Sequence, residues 1–256
     1  LLDEFPNHPF KVLKNEELSK LEESIKDNGV LEPIIVRKKD DRYEIVSGHR
    51  RKLASTLVGL TSIPCIVRDM NDDEATIYMV DSNMHRETIL PSEKAKAYSM
   101  KYETMKHQGA AGGISLEKMS EESGESRKTI QRYICLARLS DELLELVDNK
   151  KLGVMQGLEI SYLDETQQSI VYKVIEELGC VISVEQASRI READKKGYLN
   201  EAYIKDMLTY VKQPVRKVVF NQKRLDSYFE PNMSNSDIEE LIVKLLDEWK
   251  KKGGQV

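Results

Sequence analysis

The chain has 256 residues, of which 40% are hydrophobic and 32% charged, and a net charge of −5. That length suits about two domains, and that composition excludes general disorder. No apolar run approaches the roughly 20 residues of a membrane span, and nothing at the start reads as a signal peptide. The chain opens on Leu1 rather than Met, so a native start is expected upstream.

The first ninety residues alternate helical and strand patterns. Asn15 can cap a helix whose Leu18, Leu21 and Ile25 fall on one side, and Asn28-Gly29 ends it. Pro33-Ile34-Ile35-Val36-Arg37 reads as a buried strand, followed by a turn at Asp40-Asp41 and a second strand over Tyr43–Ser47. Gly48 opens a helix that Gly59 stops, Ile63–Arg68 is a third strand, and Asn71-Asp72-Asp73-Glu74 is a capped acidic helix start. The pattern predicts an α+β domain over residues 1–90.

Pro91 begins a helix to about Gln108, which Gly109-Ala110-Ala111-Gly112-Gly113 then breaks. From Ser115 to about Tyr210 the pattern is all helix, with caps at Ser140, Asp164 and Ser183, and a helical domain is expected over 91–212. The remaining 213–256 reads as a short tail: an extended Val215–Phe220, a turn at Glu230-Pro231-Asn232, and an amphipathic helix from Ser236 to Lys252. Ile238, Leu241, Ile242, Leu245 and Trp249 share one face of that helix, which could pair subunits or pack back on its own chain.

Charge is uneven. Residues 1–90, 91–210 and 211–256 carry −4, −3 and +2, yet Ser126–Arg138 holds Arg127, Lys128, Arg132 and Arg138 with no acidic residue. A basic patch on an acidic body permits specific phosphate contacts while weakening non-specific DNA binding. Cys65, Cys135 and Cys180 are too far apart in sequence to suggest a disulfide framework or a zinc site, which fits a reducing cytoplasm.

Three clusters carry chemistry. Gly48-His49-Arg50-Arg51 stands at a strand-to-helix junction, where free N–H groups and two guanidinium groups suit phosphate oxygens; a capped helix with solvated arginines is the plainer alternative. Asn83 and Arg86 lie three apart and can offer an amide and a guanidinium to an anion or a hydrated metal, or simply end a polar helix. Ser115–Leu136 reads as a helix-turn-helix at 115–137: Leu116–Glu122, a turn at Ser123-Gly124-Glu125, and a second helix capped by Ser126. Ile130, Tyr133 and Ile134 would pack inward, leaving Arg127, Lys128, Thr129, Gln131 and Arg132 outward where a recognition helix meets DNA. A plain helical hairpin with a solvated face would look similar.

In this order, the clusters resemble the ParB partition proteins, with their nucleoid-occlusion and plasmid-regulator relatives. The resemblance spans about Phe5–Asp164 and includes Gly29–Ile34, Gly48–Arg51, Ile63–Arg68, Asn83-Met84-His85-Arg86-Glu87 and Leu90–Ala95. It implies a ParB/sulfiredoxin-like α+β domain that binds CTP with Mg2+, then a helical domain whose helix-turn-helix reads a palindromic site. It also implies a homodimeric clamp that closes on nucleotide and reopens on slow hydrolysis, a ParA-type ATPase partner, and a cytoplasmic protein on the nucleoid or a plasmid. By position, Gly48, His49, Arg50 and Arg51 would line the nucleotide site, Asn83 and Arg86 would complete it, and Asn83 would meet the metal. Ser126, Arg127, Lys128, Thr129, Gln131 and Arg132 would meet DNA.

The sequence departs from the family pattern at four places. Glu is usual where His49 stands, an acidic residue where Ser82 stands, and Gln at Glu32 and His85. Lack of a carboxylate beside Asn83 argues against tight magnesium binding and hydrolysis, unless Asp81 substitutes. The alternative classes are a transcriptional or conjugation regulator with a vestigial nucleotide site, and an enzyme on the same N-terminal fold. Sulfiredoxin is disfavoured because Ser47-Gly48-His49-Arg50 lacks a nucleophilic cysteine. A kinase would not need the helix-turn-helix, and a nuclease would need a carboxylate cluster.

Overall fold

The computed structural model describes residues 1–11, 15–86, 88–109, 112–209, 228–229 and 233–253. The chain divides into two units, Leu1–Tyr210 and Val211–Val256.

The first unit starts with β1 (Leu2–Asp3) and α1 (Glu16–Asn28), then β2 (Ile34–Lys39), β3 (Arg42–Ser47), α2 (His49–Val58), β4 (Cys65–Arg68) and α3 (Asp72–Met84). The strands form one mixed sheet in the order β1-β3-β2-β4. β2 and β3 are antiparallel neighbours, while β1 on β3 and β4 on β2 are parallel. Period-two alternation sends Ile34, Val36 and Ile45 to one face. Val46 goes to the other, where α3 packs Ala75 and Met79 against it. Two buried charges share that strand pair: Arg37 and Glu44 are each 4% exposed. Arg37 Nη2 lies 2.5 Å from Glu44 Oε2 and 2.6 Å from Asp72 at the start of α3.

β1 has no counterpart in the expected elements, since two residues cannot display a period. The expected strand over 63–68 is shorter, beginning at Cys65, and forms an edge with all four residues exposed. The caps at Asn15 and Asn71 form as expected, the latter as a capping box with Glu74.

The helical part of this unit runs α4 (Pro91–His107), α5 (Gly112–Ser123), α6 (Arg127–Leu136), α7 (Asp141–Asp148), α8 (Val154–Ile160), α9 (Glu165–Leu178), α10 (Val184–Lys195) and α11 (Glu201–Thr209). Its core is contiguous from Leu136 and Leu143 through Val171 and Ile190 to Ile204. Ser140, Asp164 and Ser183 each cap a helix through a side-chain oxygen. The helix before the turn begins at Gly112, earlier than the expected Leu116, so part of the glycine stretch is helical.

In the second unit, α12 (Asn235–Lys251) is capped by Ser234 through a box with Asp237. Leu241, Leu245 and Trp249 on its apolar stripe are exposed. The expected extended segment over 215–220 and the turn over 230–232 lie outside the described residues. Among the described residues no helix is long and apolar enough to cross a membrane.

Candidate nucleotide cradle and DNA-reading helix

The chain turns from β3 into α2 at Gly48, whose φ of 103° lies in the left-handed region. A Cβ there would stand 2.7 Å from Ile34 Cγ2, so only glycine lets the turn close onto β2. No side chain caps this helix start, which leaves its first N–H groups for an anion. A cavity of about 460 Å3 opens there, bringing Gly48, His49, Arg50 and Arg51 together with Asn83 and Arg86, thirty-odd residues later. Glu17 and Leu21 of α1, with Glu32, Ser47 and Ser82, complete the wall.

The arginines differ in what they touch. Arg50 Nη1 donates to Glu17 Oε2 at 3.0 Å. Arg51 Nη1 donates to the carbonyls of Glu32 and Pro33, both at 2.8 Å, and lies 3.5 Å from the Glu32 carboxylate. Arg86 is half-buried with its guanidinium over the Phe10 ring at 5.2 Å, and that guanidinium has no hydrogen bond or ion pair among the described residues. Burial draws its pKa below the usual arginine value, against the pull of Glu93. A desolvated guanidinium of this kind calls for an anion.

Asn83 is 6% exposed, and its Nδ2 donates to the Met79 carbonyl at 2.8 Å. His49 lines the cavity, but its side chain is only 5% exposed and its ring lies against that of His8, tilted by 52° with centres 4.1 Å apart. Nε2 of each ring is buried without a hydrogen bond, although the Glu4 carboxylate lies 3.7 Å from that of His49. Burial, helped by His8 and by the charges of Arg86 and Lys52, pushes the His49 pKa down to about 4, with Glu4 opposing. The folded protein therefore keeps this ring neutral while the unfolded chain takes up a proton below about 6.5. Stability should hold level above that pH and fall by up to about 3 kcal/mol as pH approaches 4. Urea unfolding across this range checks it, and His49→Phe should flatten the decline.

The residues present do not fit a divalent cation. Asp81 is turned away: its carboxylate accepts from Lys101 Nζ at 2.5 Å, and Glu122 accepts from the same ammonium at 2.6 Å. The Lys101 side chain is 5% exposed, so this is a costly position for a charge unless both carboxylates attend it. Ser82 is exposed and donates its hydroxyl to the Met79 carbonyl at 3.1 Å. Among the described residues no group of three or more His, Cys, Asp or Glu is placed to hold a metal ion. Hard cations take oxygen ligands, carboxylates foremost.

The helix-turn-helix is built from local signals. Gly124 takes a φ of 71° in the turn. Ser120 Oγ donates to the Glu125 carbonyl at 2.6 Å, and Ser126 Oγ caps α6 by accepting from Thr129 N at 3.1 Å. Met119 and Ile130 close a small core with Tyr98 and Met105 of α4, with Tyr133 and Ile134 half-buried at its edge. Lys94 pairs with Glu125 and ties the turn to α4.

On the other side Ser126, Arg127, Lys128, Gln131 and Arg132 are exposed, whereas Thr129 is half-buried, its hydroxyl 2.9 Å from that of Ser126. Arg127 pairs with Glu117 at 2.6 Å in an open position, both side chains more than half exposed. Such a pair contributes little and is easily exchanged for a phosphate. Lys128 and Arg132 have no ionic partner among the described residues. α6 thus presents three cations and no carboxylate.

Glu17 and Phe10 were not expected at the cradle. Arg50 and Glu17 are 33 residues apart, so no short-range pattern announces the pair.

Comparison with known proteins agrees with this layout. The family description "ParB N-terminal domain" matches residues 1–84, and "ParB HTH domain" matches residues 87–195. The stage 0 sporulation protein J of Bacillus subtilis is 30% identical over 253 residues, covering 95% of this chain and 87% of that one. The chromosome-partitioning protein Spo0J of Thermus thermophilus is 31% identical over 187 residues, 73% of this chain; the match spans 66% of that relative, just under two thirds. A crystal structure of C-terminally truncated ParB from Caulobacter crescentus, complexed to the centromeric parS site, is 25% identical with a TM-score of 0.45, covering 75% of this chain and 95% of that one.

Proposed function

This chain belongs to the ParB family, and on that premise we propose that it is a sequence-specific DNA-binding partition protein, a homodimeric clamp gated by CTP. The observation that carries the reading is the outer face of α6, where Arg127, Lys128 and Arg132 are exposed on a capped helix without a carboxylate. An α-helix fits the major groove, with basic side chains near its N-terminus reaching phosphates and base edges. Ser126, Thr129 and Gln131 complete the contact set, Ser126 and Thr129 chiefly by holding the helix start in shape. DNA is expected to be a palindrome, because a two-fold dimer presents two copies of α6.

Residues 1–90 serve as the nucleotide domain, 91–212 as the DNA-binding domain, and 213–256 as a dimerisation element. Gly48 gives the phosphates close approach to the backbone, and Arg50, Arg51 and Arg86 supply charge to them. His49 acts through its backbone, since its ring faces inward onto His8. Nucleotide binding supplies the free energy that closes the clamp. A ParA-type ATPase is the expected motor partner, and the cytoplasm, on nucleoid or plasmid, the expected location. A second reading, a regulator of the same build with a vestigial nucleotide site, is favoured by the missing carboxylate at Ser82.

The DNA claim is tested by Lys128→Ala and Arg132→Ala, separately and together. Each is expected to weaken operator binding and reduce the slope of log K against log salt by about one. Unchanged affinity at two salt concentrations would remove α6 from the interface. CTP binding with and without a selected palindrome separates the two readings: nucleotide binding strengthened by DNA supports the clamp, and none at all the plain regulator.

A further inference from the structure

We infer that the cradle neutralises polyphosphate with arginines alone, and that CTP binds here without a divalent cation. This rests on the nucleotide reading above and adds to it the form of the ligand. Four observations carry it. Asp81, the carboxylate nearest in sequence to Asn83, is committed to Lys101 at 2.5 Å in a linkage that also holds Glu122. Swinging it into the cavity would leave Lys101, 5% exposed, with one partner instead of two. Ser82 brings a neutral hydroxyl that donates to the Met79 carbonyl. The two carboxylates that do reach the wall, Glu17 and Glu32, already face Arg50 and Arg51 at 3.0 and 3.5 Å. Arg86 is the guanidinium left without an ion pair among the described residues, half-buried over Phe10.

The charge pattern is therefore that of an anion site. Phosphate oxygens satisfy Arg86 at once and compete with Glu17 for Arg50. Besides the phosphates themselves, a magnesium ion entering with them would find from the protein only neutral oxygens, those of Asn83 and Ser82 among them, and no uncommitted carboxylate. It would also sit among three guanidinium groups that repel it. Cation neutralisation of the phosphates is thus supplied by side chains at fixed positions, where other nucleotide sites share it with a metal.

The test measures the affinity of the full chain for radiolabelled CTP in magnesium chloride and in EDTA. Affinities within about threefold of each other are expected. A loss of about tenfold or more in EDTA overturns the inference and leaves the nucleotide reading standing. Absence of binding in both conditions overturns the nucleotide reading, and this inference with it. Ser82→Asp provides the converse: a carboxylate beside Asn83 should make CTP binding weaken by about tenfold or more when EDTA replaces magnesium. A Ser82→Asp protein as indifferent to magnesium as the parent would show that position 82 does not face the phosphates, and would overturn the ligand argument.

Discussion

Replacing Arg37 by alanine is expected to lower the unfolding free energy by roughly 3–5 kcal/mol, enough to threaten the N-terminal sheet. The cost comes from what is left behind. Glu44 is 4% exposed, and Arg37 gives it two contacts, Nε at 2.7 Å and Nη2 at 2.5 Å. Without the guanidinium, the Glu44 carboxylate keeps, among the described residues, only Lys39, 3.3 Å away on a side chain 46% exposed. Asp72 at the start of α3 loses its 2.6 Å partner as well, so the helix that carries Asn83 loosens from β2, the strand onto which the Gly48 turn closes. Urea unfolding of the variant checks the figure, and a loss below about 1 kcal/mol would mean that water reaches Glu44. Removing both charges with an Arg37→Met, Glu44→Leu pair should recover much of the stability, because a buried ion pair and a packed apolar pair are often close in free energy.

Arg50→Ala is expected to weaken CTP binding by about a hundredfold or more while leaving operator affinity nearly unchanged. Arg50 stands in the first turn of α2, where its guanidinium and the open N–H groups aim at the same oxygens. Its present partner, Glu17, is 57% exposed, so removal of Arg50 strands no buried charge and the fold should persist. Loss of nucleotide with retention of operator would separate the two sites. Equal CTP affinity in variant and parent would place the phosphates elsewhere. Because Arg50 attracts the phosphates by charge, the parent's affinity should also fall as salt rises, and less steeply in the variant.

Much of this was legible in order along the chain. Asn15, Asn71, Ser126, Ser140, Asp164 and Ser183 all cap the helices they were expected to cap, and Gly124 takes the left-handed turn between the two helices around it. Each of these depends on hydrogen bonds spanning three or four residues, so the local residues carry the whole signal. The basic outer face of α6 follows from the same helical period, as does the inward Ile130. The ParB resemblance, resting on ordered short motifs, reached the family for that reason.

Partner choice among charged groups followed no such rule. Nothing near Asp81 in sequence says that Lys101 and Glu122 will claim it, nothing near His49 says that its ring turns down onto His8, and Glu17 meets Arg50 across 33 residues. The two-residue β1 exists only because Leu2 and Asp3 lie beside Tyr43 and Glu44 once the sheet has formed. Helix ends and turns are settled by neighbours along the backbone. Which carboxylate is free to meet a metal, and which arginine is left wanting an anion, is settled by packing between distant segments, where desolvation makes an unpaired charge too costly to leave to chance.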